Sequence, residues 1–184
     1  MASFQLEREF DSDMLRDGIN GNLDRDIRVL DCDPVDPDFH ARFSSKAKTY
    51  RYRICTSAIV SPFDYRFVHH YRGDLDVAEM NAAASMLQGR HDFSAFTVLN
   101  NDSEDLVRMM MRLEVTEADR EIHVTAQADG FLRFMVRAIV GTLIDVGRGR
   151  RLAAEMEGIL SSRNRSMAGA TAPARGLTLI RVDY

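Results

Sequence analysis

Arg137 carries the most chemical content of any single position. It interrupts the apolar run Phe134-Met135-Val136-Arg137-Ala138-Ile139-Val140-Gly141. A guanidinium cannot shed its charge by losing a proton. On a helix buried on most sides it therefore needs a carboxylate or phosphate partner, or must extend its stem to reach solvent. The run alone leaves both readings open.

A second group lies on one alternating stretch. From Lys48 to Thr56 the side chains divide by period two, with Lys48, Tyr50, Tyr52 and Ile54 on one face and Thr49, Arg51, Arg53 and Cys55 on the other. An ammonium and two phenols thus share a surface, and aromatic rings on a sheet can stack a nucleobase. Strand tyrosines serve packing equally well. Just before this stretch, Asp38-Phe39-His40-Ala41-Arg42-Phe43-Ser44 would alternate His40 and Arg42 against Phe39, Ala41 and Phe43, a polar pair on an apolar anchor. His91-Asp92 and His69-His70 are weaker candidates for an acid-base pair or a metal site, because neighbours on a strand point to opposite faces. The chain has no serine or cysteine nucleophile arrangement, phosphate-cradling glycine loop or zinc spacing.

Several elements must position these residues. Ser3 to Glu9 and Ile27 to Leu30 read as short strands, with a brief helix capped near Asp13 between them. The turn-rich run Asp33-Pro34-Val35-Asp36-Pro37-Asp38 is the best place for a domain boundary. After the Tyr50 strand, Arg66 to Arg72 reads as a pairing strand. Asp76 with Glu79 caps a helix striped by Met80, Ala83, Ala84 and Leu87 and stopped by Gly89. A hairpin follows, with Val107, Met109, Met111, Leu113 and Val115 on the inner face of one arm and Ile122, Val124, Ala126 and Ala128 on that of the other. Phe131 to Val146 is the most apolar helix. Leu152 to Leu160 is a second helix, buried through Leu152, Met156, Ile159 and Leu160, and Leu177 to Val182 is a closing strand. This order predicts an α+β fold, a mixed and mainly antiparallel sheet with helices packed on one face.

With 45% apolar and 28% charged residues, the 184-residue chain has ordinary globular composition and no apolar stretch of membrane-spanning length. The N-terminus shows no secretory signal pattern, which predicts a cytoplasmic protein. Cys32 and Cys55 lack metal-ligand spacing and read as small apolar residues on strands. A net charge of −4 excludes nucleic-acid binding by bulk attraction, so any RNA contact must be local. Basic clusters exist at Arg42 to Arg53, Arg148 to Arg151 and Arg163 to Arg175.

Taken together these segments resemble the TruA family of tRNA pseudouridine synthases. Five blocks occur in the family's order: Phe39-His40-Ala41-Arg42-Phe43-Ser44, Lys48-Thr49-Tyr50-Arg51-Tyr52, Leu87-Gln88-Gly89-Arg90-His91-Asp92-Phe93-Ser94-Ala95-Phe96, the run from Gly130 to Gly141 with Val146-Gly147, and Ala172-Pro173-Ala174-Arg175-Gly176-Leu177-Thr178-Leu179. The resemblance implies an isomerase, free of metal and cofactor, that detaches uracil from its ribose, turns it and rejoins it through carbon in the anticodon stem-loop of tRNA. It implies two related α/β domains flanking a basic RNA cleft, in a homodimer with no membrane association. By that resemblance residues 1–33 are the remnant of the end of the N-terminal domain, and residues 34–184 are the C-terminal pseudouridine synthase domain. Tyr50 matches the active-site tyrosine that lies against the base, and Arg137 the arginine that pairs with the catalytic aspartate. His40, Arg42 and Phe43 would line the entrance where the base is flipped out. Lys48 and Phe131 would contact substrate RNA, and Gly176 and Leu177 would close the pocket wall.

The departure is at the start. The family's Gly-Arg-Thr-Asp-x-Gly-Val-His segment, whose aspartate attacks the nucleotide, does not occur in this chain, and Asp33, Asp36 and Asp38 match no catalytic position. The expectation is a fragment that does not isomerise uridine alone. The alternative is a catalytically dead RNA-binding or scaffolding paralogue.

Overall fold

The alternating stretch around Tyr50 becomes the centre of a sheet. The computed structural model describes residues 1–98 and 105–184, and in it strand β1 (Ala47–Cys55) pairs along its length, antiparallel, with β5 (Glu121–Ala128). On its other side β1 pairs antiparallel with β6 (Leu177–Asp183), then parallel with the two-residue β2 (His69–His70). Strand β4 (Val107–Ala118) joins β5, and β3 (Gly89–Asp92) joins β4, both antiparallel. Among the described residues this makes one mixed, mainly antiparallel sheet of six strands, as expected.

Period-two alternation gives the sheet one apolar face, and three helices cover it: α2 (Val77–Ser85), α3 (Met135–Gly147) and α4 (Glu155–Ser162). Tyr52 and Ile54 of β1, Leu113 of β4 and Val124 of β5 share one core with Met80 of α2, Ile139 and Leu143 of α3 and Met156 of α4. Each large side chain withdrawn from water contributes about 1.5–3 kcal/mol, so burial rather than helix propensity holds α3 in place. The Asp76 carboxylate accepts from the Glu79 amide at 3.0 Å, the expected cap of α2.

The structure departs from several expectations. In β4 the register slips between Met110 and Arg112, so Met110 is buried while Met109 and Met111 are 39% and 45% exposed. An extra residue at a β-bulge reverses the phase of alternation, and a count by twos from Leu113 carries the wrong face past it. The apolar helix begins at Met135, not Phe131, because Phe134 takes the left-handed conformation (φ 62°) and breaks the helical path. Leu152 is 70% exposed, because it lies ahead of α4 and outside its buried stripe. Of Arg66 to Arg72 only His69–His70 is strand, where β1 offers just Ile54 and Cys55 as partners.

The chain divides into two compact units, residues 1–44 and 45–184. The sheet and α2 to α4 belong to the second. The first contains α1 (Ser12–Asn22), whose N-terminus is capped by Asp11 accepting from the Met14 amide at 3.0 Å. Neither Ser3 to Glu9 nor Ile27 to Leu30 is a strand. In the latter the Val29 backbone exchanges two hydrogen bonds with the Asn20 side chain, at 2.8 and 2.9 Å, and a side-chain amide thus takes the place of a neighbouring strand. Cys32 lies outside any strand, Cys55 ends β1, and both are free thiols.

Candidate active site

Strand β1 presents Tyr50 and Tyr52 toward the helices, two residues apart and therefore on one face. Their settings differ. Tyr50 is half-buried, and its ring meets Phe131 edge-on with centroids 5.1 Å apart, a favourable aromatic geometry. Tyr52 is fully buried, and its hydroxyl donates to the Pro173 carbonyl at 2.7 Å. Burial raises the Tyr52 phenol far above its ordinary pKa, outweighing the opposing pull of Arg137 and Arg175, so it remains a donor throughout the working pH range. Lys48, half-buried, stands opposite Ala128 of β5 and Val182 of β6.

Arg137 sits in the first turns of α3, on the same side of the sheet as these tyrosines. Its Nε donates to the Ala172 carbonyl at 2.6 Å, while the Ala172 amide donates to the Arg137 carbonyl at 3.0 Å. The guanidinium carbon also lies 5.0 Å from the centre of the Phe134 ring, with that of Arg133 at 5.2 Å, both within cation–π reach. Phe134, the residue that precedes α3 with positive φ, thereby receives two cations; backbone of that kind costs about 1–3 kcal/mol and persists where its surroundings demand it. Among the described residues no carboxylate pairs with Arg137, and its terminal amino groups have no hydrogen-bond partner.

The segment ahead of β6 forms the remaining wall. Gly176 is buried against Tyr52, and a Cβ there would fall 2.7 Å from the ring's Cε1 and Cζ. Only a residue without Cβ permits this approach. Leu177 then pairs directly opposite Tyr52 as β6 begins and packs against the core. The sheet and helix α3 thus gather Tyr50, Phe131, Arg137, Gly176 and Leu177 into one region around Tyr52.

His40, Arg42 and Phe43 lie in the first unit. There the backbone turns, with the Ser44 amide donating to the His40 carbonyl at 2.8 Å, so the expected strand-like alternation is absent. The His40 ring accepts from the Arg42 amide at 3.0 Å and packs on Phe43 at 4.4 Å, and Arg42 lies 5.5 Å from the same ring. A histidine side chain that caps its own turn folds the next residues back on it.

The weaker histidine pairs do not form sites. His91 bonds the Gln88 carbonyl at 2.8 Å, whereas Asp92 accepts from Ser94 and pairs with Arg163 at 3.1 Å. Burial would raise the Asp92 carboxyl, but the Ser94 contacts and Arg163 prevail and hold it below its ordinary value. His69, lowered by burial and then by Arg175 and His70, packs between Tyr52 and Tyr71. Among the described residues no cluster of three or more His, Cys, Asp or Glu could hold a metal ion, and no helix is long and apolar enough to cross a membrane.

Sequence reasoning placed Tyr52 beside Tyr50 and overlooked its grip on Pro173. It also missed Thr142 and Arg165, which bind the segment crossing α3: the Gly169 amide donates to Thr142 Oγ1 at 2.9 Å, and Arg165 donates to the Gly169 carbonyl at 2.9 Å and to Thr171 Oγ1 at 2.8 Å. Gly141, Gly169 and Gly176 were the available signal, since glycines in two separate segments mark close backbone approach.

Comparison with known proteins shows the family. A family profile described as tRNA pseudouridine synthase matches residues 83–184. Proteins named tRNA pseudouridine synthase A are similar to the chain: that of Shouchella clausii is 43% identical over 166 residues, covering 90% of the chain and 64% of the relative. Those of Syntrophotalea carbinolica and Brevibacillus brevis are 42% and 41% identical, covering 92% and 98% of the chain and 67% and 74% of the relatives. The chain therefore spans about two thirds of the length of the curated relatives it matches. With more than half its residues under the family profile and two fifths of its positions shared with such relatives, the chain belongs to the tRNA pseudouridine synthase family.

Proposed function

We propose that this chain is the C-terminal catalytic part of an isomerase that converts uridine to pseudouridine in the anticodon stem-loop of tRNA, in the cytoplasm. Arg137 carries the reading. It is a permanently charged, half-buried guanidinium whose terminal amino groups have no carboxylate among the described residues, and it stands on the same side of the sheet as Tyr50. A carboxylate is a partner that suits such a group, and the catalytic aspartate of the isomerase reading supplies one.

In this reading residues 1–33 close a preceding α/β domain and residues 34–184 form the C-terminal one. The attacking aspartate comes from a Gly-Arg-Thr-Asp segment that is not among these 184 residues. Arg137 holds that carboxylate ionised and directed at the sugar. The half-buried Tyr50 ring, backed by Phe131, lies against the uracil while its bond from N1 to the ribose breaks and a new bond forms from C5; the proton leaving C5 is balanced by one gained at N1. Every atom is retained and no electrons are exchanged, so the reaction calls for no redox cofactor. Lys48, Gly176 and Leu177 complete the RNA-facing wall, His40, Arg42 and Phe43 of the first unit are further RNA-contacting residues, and the protein works as a homodimer.

The test is incubation of the purified chain, and of a version extended to include the aspartate segment, with unmodified tRNA, followed by quantification of pseudouridine. Product is expected from the extended protein only. Robust product from the 184 residues alone would refute the need for the external aspartate. If the extended protein binds tRNA without forming product, a catalytically dead RNA-binding paralogue is the better description.

A further inference from the structure

The segment Ala168–Pro173 crosses helix α3 as a strap, held at both ends by side chains, with Arg137 bonded to it between them. Its path is set by the helix face on which Arg137, Gly141 and Asp145 succeed one another at intervals of four. Gly141 admits the Ala170 carbonyl so closely that a Cβ would fall 1.7 Å from the oxygen, and a Cβ on Gly169 would fall 2.7 Å from Asp145 Oδ2. The leading end is pinned by Thr142, which accepts from the Gly169 amide, and by Arg165, which donates to the Gly169 carbonyl and the Thr171 hydroxyl. The trailing end is pinned by the buried Tyr52 hydroxyl on the Pro173 carbonyl. Between the two pins lies Ala172, which exchanges two hydrogen bonds with Arg137.

We propose that this strap is a positioning device for the Arg137 guanidinium, with Tyr52, Thr142 and Arg165 as its positioning residues, and that it leaves the paired terminal amino groups as the end that receives a carboxylate. A guanidinium can grip a carboxylate through Nε and one terminal nitrogen or through both terminal nitrogens. The Ala172 carbonyl occupies Nε, so the end-on mode is the one left. A free arginine stem has several rotamers of similar energy, and a ligand met by only one of them loses affinity in proportion to that fraction. The strap removes this loss before the carboxylate arrives. The identity of that carboxylate as the attacking aspartate rests on the isomerase reading; the orientation of the guanidinium does not.

The test reads Arg137 directly. In the chain labelled with nitrogen-15, hydrogen exchange of the Arg137 Nε–H is expected to be slow, and Tyr52→Phe and Arg165→Lys each to accelerate it roughly three- to tenfold, the factor equivalent to one hydrogen bond's net contribution. Arg163→Gln, which alters an arginine paired with Asp92 away from the strap, should leave that exchange unchanged. If Tyr52→Phe is folded by amide spectrum and the Nε–H exchange is unaltered, the positioning role is overturned. Arg165→Lys keeps the question open to refutation should the tyrosine variant fail to fold. In the extended enzyme, Tyr52→Phe is then expected to lower kcat while leaving KM for tRNA within about twofold, because tRNA does not need the strap to dock. An equal loss in KM would overturn the assignment in favour of general disruption. The exchange measurement requires no catalysis, so failure of the isomerase reading and failure of the strap give different results.

Discussion

Gly141 of α3 and Ala170 of the strap are in such close backbone contact that no side chain fits between them: a Cβ on Gly141 would stand 1.7 Å from the Ala170 oxygen. The obstacle is a carbonyl, not the flexible end of a side chain. Gly141→Ala must therefore lift the strap off the helix, and should destabilise residues 45–184 by at least about 1–3 kcal/mol, the usual cost of overpacking, although alanine is the better helix former. Chemical denaturation of the variant against the parent chain measures it, and an unchanged midpoint would contradict the contact.

Tyr50 separates packing from chemistry. Tyr50→Phe keeps the ring edge-on to Phe131 and should shift stability by less than about 0.5 kcal/mol, whereas Tyr50→Ala loses the aromatic pair and should cost at least about 1 kcal/mol. We assign the Tyr50 hydroxyl a part in moving the proton from C5 to N1, so in the extended enzyme Tyr50→Phe is expected to reduce turnover about 100-fold, the scale of a lost proton-transfer group, with tRNA affinity retained. Single-turnover kinetics beside a binding titration give both numbers, and full turnover by the phenylalanine variant would confine Tyr50 to stacking.

Glu121 gives residues 45–184 an acid-sensitive point on the polar face of the sheet. Both its oxygens accept from Arg53 at 2.7 Å, and His123 stands 3.1 Å away. The Arg53 hydrogen bonds are the chief cause of a carboxyl pKa below the ordinary value of 4.5, burial opposes them and His123 adds to them. Because the folded pKa is the lower one, the contribution is complete above about 4.5 and disappears as pH falls through the folded value. Glu121→Gln should cost on the order of 1 kcal/mol at neutral pH and flatten the loss of stability on acidification, as thermal melts from pH 7 to pH 3 would reveal. An identical acid profile in the variant would exclude Glu121 as the titrating group.

Under the isomerase reading, tRNA binding by an acidic chain of net charge −4 has to come from local basic clusters. Affinity should then fall steeply with salt, as a straight line in log K against log salt concentration with a slope of roughly −0.7 to −0.9 per phosphate contacted. Titrations of tRNA at several salt concentrations give the slope directly. A flat line would remove the basic-surface picture.

Much of the fold was legible in the residues because burial writes a period into them. The Tyr50 strand, the hairpin from Val107 to Ala128, the Asp76 cap and the closing strand all follow from alternation or capping chemistry, which are local. The exceptions arose where one residue changed the phase or the partner lay elsewhere. The bulge at Met111 reverses which face of β4 is buried, the left-handed Phe134 delays the start of α3 by four residues, from Phe131 to Met135, and Ile27 to Leu30 satisfies its backbone with Asn20 instead of a strand.

The sequence by itself determined the family resemblance, the alternating β1 that presents Tyr50, and the anomaly of a permanent charge at Arg137 in an apolar helix, because residue type and spacing are enough to state each of them. Tertiary structure alone decided how that charge is held. Ala172 lies 35 positions from Arg137 and Pro173 lies 121 from Tyr52, and both contacts are made through main-chain carbonyls that every residue carries. A carbonyl leaves no signature in residue type, so only the folded path of the chain could place these two against the side chains that bind them.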